Sequence, residues 1–261
     1  MKTFAATLIL AFTLPSLALE ARYFRAWQGF KKTTLTAPQF VDSIPAFMQE
    51  TVNLYDVTHG ILSNYLVVMP PLHKPAYVPD ELALVALASR ETYQQVRATE
   101  AGAVYSARHW DVFEKGISAS ADPMVDFSAT LPSSLEHNKS YDVLGTPIDW
   151  SQGHTMVYIG LRKTSLAPAA FLQGLAQHLS LVKRAFSARG LNGYIVIANQ
   201  DYEVAYMNWD SAEAMQAANR SPEGRAVSRD AHNLLNHLML EAARPLQAGL
   251  PVTYGAAYST L

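Results

Sequence analysis

The 261-residue chain has no cysteine. That removes disulfides, thiolate metal sites, cysteine nucleophiles and thioether lipid anchors in one step. An excess of charge of one sign is also missing: 20 Lys and Arg stand against 22 Asp and Glu. With a formal net charge of -2 there is no basic stripe to neutralise phosphates, so no nucleic-acid partner is expected. Beyond residue 18 no apolar run approaches the roughly 20 residues that a membrane-spanning helix needs. A glycine-rich phosphate cradle, an HExxH pair and a Gly-x-Ser-x-Gly elbow are all absent. What remains is imidazole, phenol, guanidinium and carboxylate chemistry. The chain carrying it is 49% apolar, enough to build a packed core.

The first 18 residues read as a secretory signal. Lys2 precedes an apolar run from Phe4 to Leu14, Pro15 breaks it, and the small residues Ser16 and Ala18 stand where signal peptidase admits only small side chains. Cleavage after Ala18 is expected, with the mature chain periplasmic or secreted and free of membrane spans.

An internal repeat organises the rest. At an offset of 122 residues Ser89 pairs with Ser211, Glu91 with Glu213, Gln94 with Gln216, Gly102 with Gly224 and Ser106 with Ser228. Earlier in each half Phe40 lies opposite Phe171 and Tyr65 opposite Tyr194. The offset changes because a Pro-rich insertion, Met69 to Pro75, occurs in the first half alone. Each half reads strand, helix, strand, strand, helix. In the second, His154 to Arg162 alternates as a strand, and Phe171, Leu175, Leu179, Val182 and Phe186 form a helical stripe. Strands follow at Gly193 to Ala198 and Tyr202 to Trp209 around the turn residues Asn199 to Asp201. Asp210-Ser211 caps a short helix, Ser221-Pro222 starts a longer one running to about Ala243, and Pro251 to Ser259 is expected as the fourth strand. Its first-half counterpart would begin at Pro123.

This is the ferredoxin-like plan twice over. The predicted class is α+β: two βαββαβ units in one chain, packed as a pseudo-twofold α+β barrel. The expected boundaries are 19–131 for the first unit, 132–153 for a linker and 154–261 for the second unit. Duplication would let the chain act as a monomer, with a homodimer as the alternative.

Strand alternation then nominates residues. Val157, Ile159 and Leu161, with Phe24 and Ala26 in the first unit, form an apolar face expected beneath the helices. Tyr23, Arg25 and Trp27, and Met156, Tyr158 and Arg162, would then face the gap between the sheets, with His154 matching Tyr23. An interior of Trp, Tyr and Arg could stack a flat ligand and fix its anionic group. The same residues could instead simply fill the interface between units. Of the eight histidines, His178 sits among Leu175, Leu179 and Val182, where a satisfied core residue is the plainer reading. His232 and His237, five apart on the expected helix, do not share a face. His109-Trp110-Asp111 combines a base, a ring and a carboxylate, although neighbours on a helix point about 100° apart.

The segment from Tyr202 to Trp209, followed by Asp210-Ser211-Ala212-Glu213-Ala214-Met215 and then Asn219 to Gly224, resembles the dimeric α+β barrel superfamily, with its antibiotic-biosynthesis monooxygenase-like and stress-responsive barrel families. The resemblance implies a small hydrophobic or aromatic ligand, and cofactor-free oxygenase or isomerase chemistry or a non-catalytic scaffold role in the envelope. In the catalytic case Arg25 or Asn208 would polarise the substrate and Tyr158, Tyr206 or His109 would handle a proton. Tyr23, Trp27, His154 and Trp209 would bind it. That reading needs no cofactor. The haem-degrading members use an Asn on the first strand, which is lacking here; by analogy with haem-binding relatives, His178 is the residue that would take haem.

Overall fold

The computed structural model describes residues 21–121, 124–126, 131–145 and 147–240. The segment expected to be a secretory signal and the strand expected at Pro251 to Ser259 lie outside them. In the first unit the chain runs through β1 (Tyr23–Gly29), α1 (Ala37–Val52), β2 (Leu62–Val68), β3 (Glu81–Leu87), α2 (Arg90–Ala98), α3 (Glu100–Val112) and β4 (Ala119–Ala121). A π-helical turn, Asn53–Thr58, extends α1. It continues through β5 (Met124–Asp126), β6 (Lys139–Asp142), β7 (His154–Arg162), α4 (Pro168–Phe186), β8 (Leu191–Ala198), β9 (Tyr202–Trp209), α5 (Ala212–Arg220), α6 (Pro222–Leu234) and β10 (Leu235–Leu240).

Local chemistry sets the helix starts. Thr36 and Gln39 form a reciprocal capping box at α1. Ser89 and Ser211 cap α2 and α5, and Thr99 and Ser221 cap α3 and α6, each hydroxyl accepting the backbone N–H three residues on. The predicted stripe of α4 is buried throughout.

The first sheet has the order β2-β3-β1-β4 and the second β10-β7-β9-β8-β6-β5. Counting strands within each unit, the order is 4-1-3-2 both times, with antiparallel neighbours. That is the ferredoxin-like split βαβ arrangement in tandem. The stretch between the units is structured: β6 pairs with the β8 edge and β5 runs parallel to β6, so a strand that follows directly on the first unit joins the second sheet.

One end of the second unit differs from expectation. α6 stops at Leu234, and the residues expected to prolong it form β10 against β7. A free β7 edge would leave its N–H and C=O groups unpaired, and that tertiary demand overrides a helix-tolerant sequence. His237 is therefore a strand residue, paired with Gly160.

The open faces of the two sheets pack on each other. Leu66, Leu82 and Leu84 meet Val157, Ile159 and Val204 in one dry cluster. Across it Tyr202 Oη donates to Gln28 Oε1 at 2.5 Å, and Gln28 Nε2 donates to Asn138 Oδ1 at 2.7 Å. Just after the Pro-rich insertion, Tyr77 also bridges the units, stacking on Tyr202 with ring centroids 6.4 Å apart.

This packing corrects the assignment of strand faces. Phe24, Ala26, Val157 and Ile159 lie between the sheets, whereas Tyr23, Trp27 and Tyr158 pack on the helix side. Both faces of these strands are buried, so alternation separates two residue sets without saying which layer each meets.

Candidate functional site

Each unit holds a cavity between its sheet and its helices, of about 170 Å³ in the first and about 290 Å³ in the second. The walls are built from positions related by the repeat. Trp27, Phe47, Tyr65, Ala83 and Ser106 line the first; Tyr158, His178, Tyr194, Ala205 and Ser228 line the second. Gly102 and Gly224 explain another repeated identity. A Cβ at either would lie about 2.1–2.2 Å from a carbonyl of the preceding helix, Val96 in one unit and Ala218 in the other. Glycine here lets α2 and α3, or α5 and α6, meet closely enough to roof the cavity.

Beside each cavity is a buried carboxyl that the sequence reading did not single out. Glu81 is paired across the sheet with Gly29, and Glu203 with Gly160. The glycines make room: a Cβ on Gly29 would lie 2.8 Å from Glu81 Oε2, and one on Gly160 would lie 3.1 Å from Glu203 Cγ. Oε2 of each carboxyl has no hydrogen-bond partner. Burial pushes Glu203 up to about 7, held from going further by His178 nearby. It pushes Glu81 up to about 8, with the Trp27 indole opposing, although Trp27 Nε1 makes no well-formed hydrogen bond. The signal was present in the sequence, since Glu81 and Glu203 share the 122-residue offset and Gly29 and Gly160 are 131 apart.

In the second cavity Glu203 is joined by His178, whose Nδ1 lies 2.8 Å from Asp230 Oδ2, tying α4 to α6. Trp209 closes one end, edge-on to Phe186 at 5.2 Å. Burial raises the Tyr158 and Tyr194 phenols, so both remain protonated donors. About 290 Å³ beside a buried carboxyl falls short of a porphyrin, and the fit of haem to His178 is poor.

The first cavity has a different character. Arg25 sits over the Tyr93 ring at 4.6 Å and donates to Ser120 Oγ; Arg97 reaches the same ring and donates to Tyr93 Oη at 3.1 Å. Thr51 Oγ1 and Tyr105 Oη are 2.6 Å apart. His109 stands edge-on to Trp27 at 5.0 Å and to Phe47 at 4.6 Å. Burial lowers it to about 4, and the positive Arg25 and Arg97 add to the effect against a hydrogen bond with the Tyr105 carbonyl.

The predicted residues are thus divided. Arg25, Trp27 and His109 share the first cavity, and Tyr158, Trp209 and His178 the second. Tyr23 packs against Tyr93 at 5.6 Å outside the lining. Tyr206 lies between the sheets, its hydroxyl without a hydrogen-bond partner. Asn208 Nδ2 donates to the Gln152 carbonyl at 2.8 Å and to Thr155 Oγ1 at 3.1 Å, and His154 begins β7 opposite Trp209. Among the described residues no cluster suited to a metal ion occurs.

No protein-family model matches the chain. A search of curated proteins also finds no match. Among solved structures, a candidate monooxygenase from Fusobacterium nucleatum superposes with 11% identity, covering 94% of this chain and all of its own, at a TM-score of 0.48. Another from Lactobacillus acidophilus shares 9%, covering 90% of this chain and 98% of its own, at 0.43. An anthrone oxidase-like protein shares 12%, covering 92% of this chain and 99% of its own, at 0.40. Scores at this level assign neither family nor chemistry. The fold of this chain rests on its own strand order: a tandem ferredoxin-like α+β barrel.

Proposed function

We propose that the chain is an exported, cofactor-independent enzyme that removes a proton from a hydrophobic, partly aromatic substrate bound in the second-unit cavity. One observation carries this: Glu203, its carboxyl oxygen without a partner, lines an apolar cavity of about 290 Å³ and has been pushed up to about 7. A general base works best when its pKa lies near the working pH. A carboxylate whose pKa is raised is a stronger base, and burial raises this one. Tyr158 and Tyr194 hold protons to share with a developing enolate oxygen, and Trp209 and Phe186 give the ring a wall. His178, anchored by Asp230, faces the carboxyl and steadies its charged form.

Return of the proton to another carbon would complete an isomerisation. Alternatively, dioxygen would add to the carbanion at a CH2 centre; one oxygen atom becomes a carbonyl, and the other leaves as water with both hydrogens of that centre. Either outcome begins at Glu203.

The test is deuterium uptake from D2O into an enolisable aromatic ketone such as 2-tetralone, followed by NMR. The rate is expected to rise to a plateau above about pH 7, and Glu203→Gln to lower it by about 100-fold or more. Uptake no faster than without protein, or unchanged by Glu203→Gln, would reduce the reading to ligand binding. For export, a mature N-terminus at Leu19 in the periplasmic or secreted fraction is the expected result.

A further inference from the structure

The two units share a buried glutamate but differ in what accompanies it. Glu81 and Glu203 occupy matched strand positions; where the first unit then has Phe47 and Arg108, the second has His178 and Asp230. His178 Nδ1 lies 2.8 Å from Asp230 Oδ2, with the imidazole side chain 7% exposed and the carboxylate 38%. His178 and Glu203 both line the second cavity, and Asp230 does not. One buried ring thus connects the cavity with a carboxylate that meets solvent outside it. Tying α4 to α6 does not by itself call for such a ring. The first unit links the matched helices α1 and α3 with a more exposed pair, Arg108 to Glu50 at 3.2 Å.

We propose that His178 and Asp230 form a proton path that joins Glu203 to solvent while a ligand occupies the cavity. The inference rests on the function proposed above, since a base that has taken a carbon-bound proton must give it up before that proton can exchange with water. The titratable groups that share the wall with Glu203 are Tyr158 on β7, Tyr194 on β8 and His178 on α4; α6 adds none. Burial raises both phenols, so neither releases its proton near neutral pH. That leaves the imidazole, the side chain suited to take and give a proton there. With Asp230 accepting from Nδ1–H, Nε2 carries the lone pair. The pull of His178 on the Glu203 charge puts the two within electrostatic reach.

The protons balance as follows. Protonated Glu203 gives its proton to a cavity water, that water gives one of its own to His178 Nε2, and Nδ1–H passes to Asp230 and on to bulk water. Glu203 and Asp230 end as carboxylates, the ring ends neutral, and one proton has left. Run in reverse, the same transfers bring a proton from water to Glu203 and restore the ring. A one-ring ligand fills about 150 Å³. In a cavity of about 290 Å³ that leaves room for a water, with carboxyl, imidazole and phenol groups to hold it.

The experiment is isomerisation of 3-cyclohexen-1-one to 2-cyclohexen-1-one by the full chain in D2O, with deuterium at the γ carbon of the product read by NMR at low conversion. Glu203 carries the α proton to that carbon, so the product holds protium when the same proton returns and deuterium when it has first exchanged. In the parent most product is expected to hold deuterium there. Asp230→Asn keeps an oxygen to accept Nδ1–H but no base, and His178→Phe introduces the side chain that the first unit has at this position. Each is expected to lower the deuterium per product molecule by about twofold or more. That ratio is counted per turnover, so a merely structural role, which changes the amount of active protein, does not move it. Equal deuterium in the parent and both variants would overturn the proposal. The ligand-free chain tests the path apart from any chemistry: the His178 ring signals are expected to shift as Glu203 titrates near pH 7, and Glu203→Gln to remove that step. Ring signals indifferent to Glu203→Gln would overturn the path whether or not the ketone is turned over. A parent that shows the step without turnover would sink the proposed function and support the path.

Discussion

Glu81 and Glu203 are the most heavily constrained polar residues of the two units: buried, each with an orphaned oxygen, and each facing a glycine across the sheet. Because burial raises their pKa, the native chain holds protons that the unfolded chain has released above about pH 4.5. The unfolded state then binds fewer protons, so stability falls as pH rises, by up to about 1.4 kcal/mol per pH unit for each group. The loss from Glu203 is complete above about 7 and that from Glu81 above about 8. Urea melts across this range are expected to slope downward in the parent, and the Glu81→Gln, Glu203→Gln double variant is expected to lose that downward slope, keeping only the rise that His109 contributes below about pH 6.5. Equal slopes would mean that these carboxyls do not titrate as stated. His109 works in the opposite direction, since the unfolded ring gains its proton near 6.5 and the folded one only near 4. Its imidazole NMR signals are expected to stay in the neutral form at pH 5.

The elements show which repeated identities were structural. Ser89 and Ser211 are helix caps, Glu91 and Glu213 are first-turn acids near the positive helix end, and Gly102 and Gly224 are close-approach points. Gly224→Ala is expected to cost about 1–3 kcal/mol through overpacking against the Ala218 carbonyl, lowering Tm by roughly 3–10 °C. Ser106→Ala, at a cavity-lining position away from such a clash, is expected to change Tm little. A harmless Gly224→Ala would mean that the roof can relax, and the glycine would lose its explanation. The helix stripes, caps and hairpin turn were legible because each is a local pattern. β10 was not, because its identity depends on a β7 edge far away in sequence. The buried glutamates were missed for a related reason: a charged residue at the start of a strand reads as solvated until its partner proves to be a glycine.

At the scale of the whole molecule, duplication determines which surfaces are dry. Periodicity revealed two residue sets per strand but not which layer each faced, and the candidate residues therefore divided between two cavities and a sheet interface. Burying the faces of both sheets in one cluster makes each unit depend on the other. Val204 lies in that cluster with no exposed surface. Val204→Asp would place a carboxylate in the apolar cluster that holds Leu82, Leu84 and Ile159, a substitution that costs several kcal/mol. The loss is expected to spread: amide hydrogen exchange should accelerate in β3 of the first sheet as much as in β9, where the substitution lies. Denaturant unfolding should remain a single transition at a lower midpoint. Faster exchange confined to β7, β8 and β9 would instead show two units that share a chain and a surface but open separately.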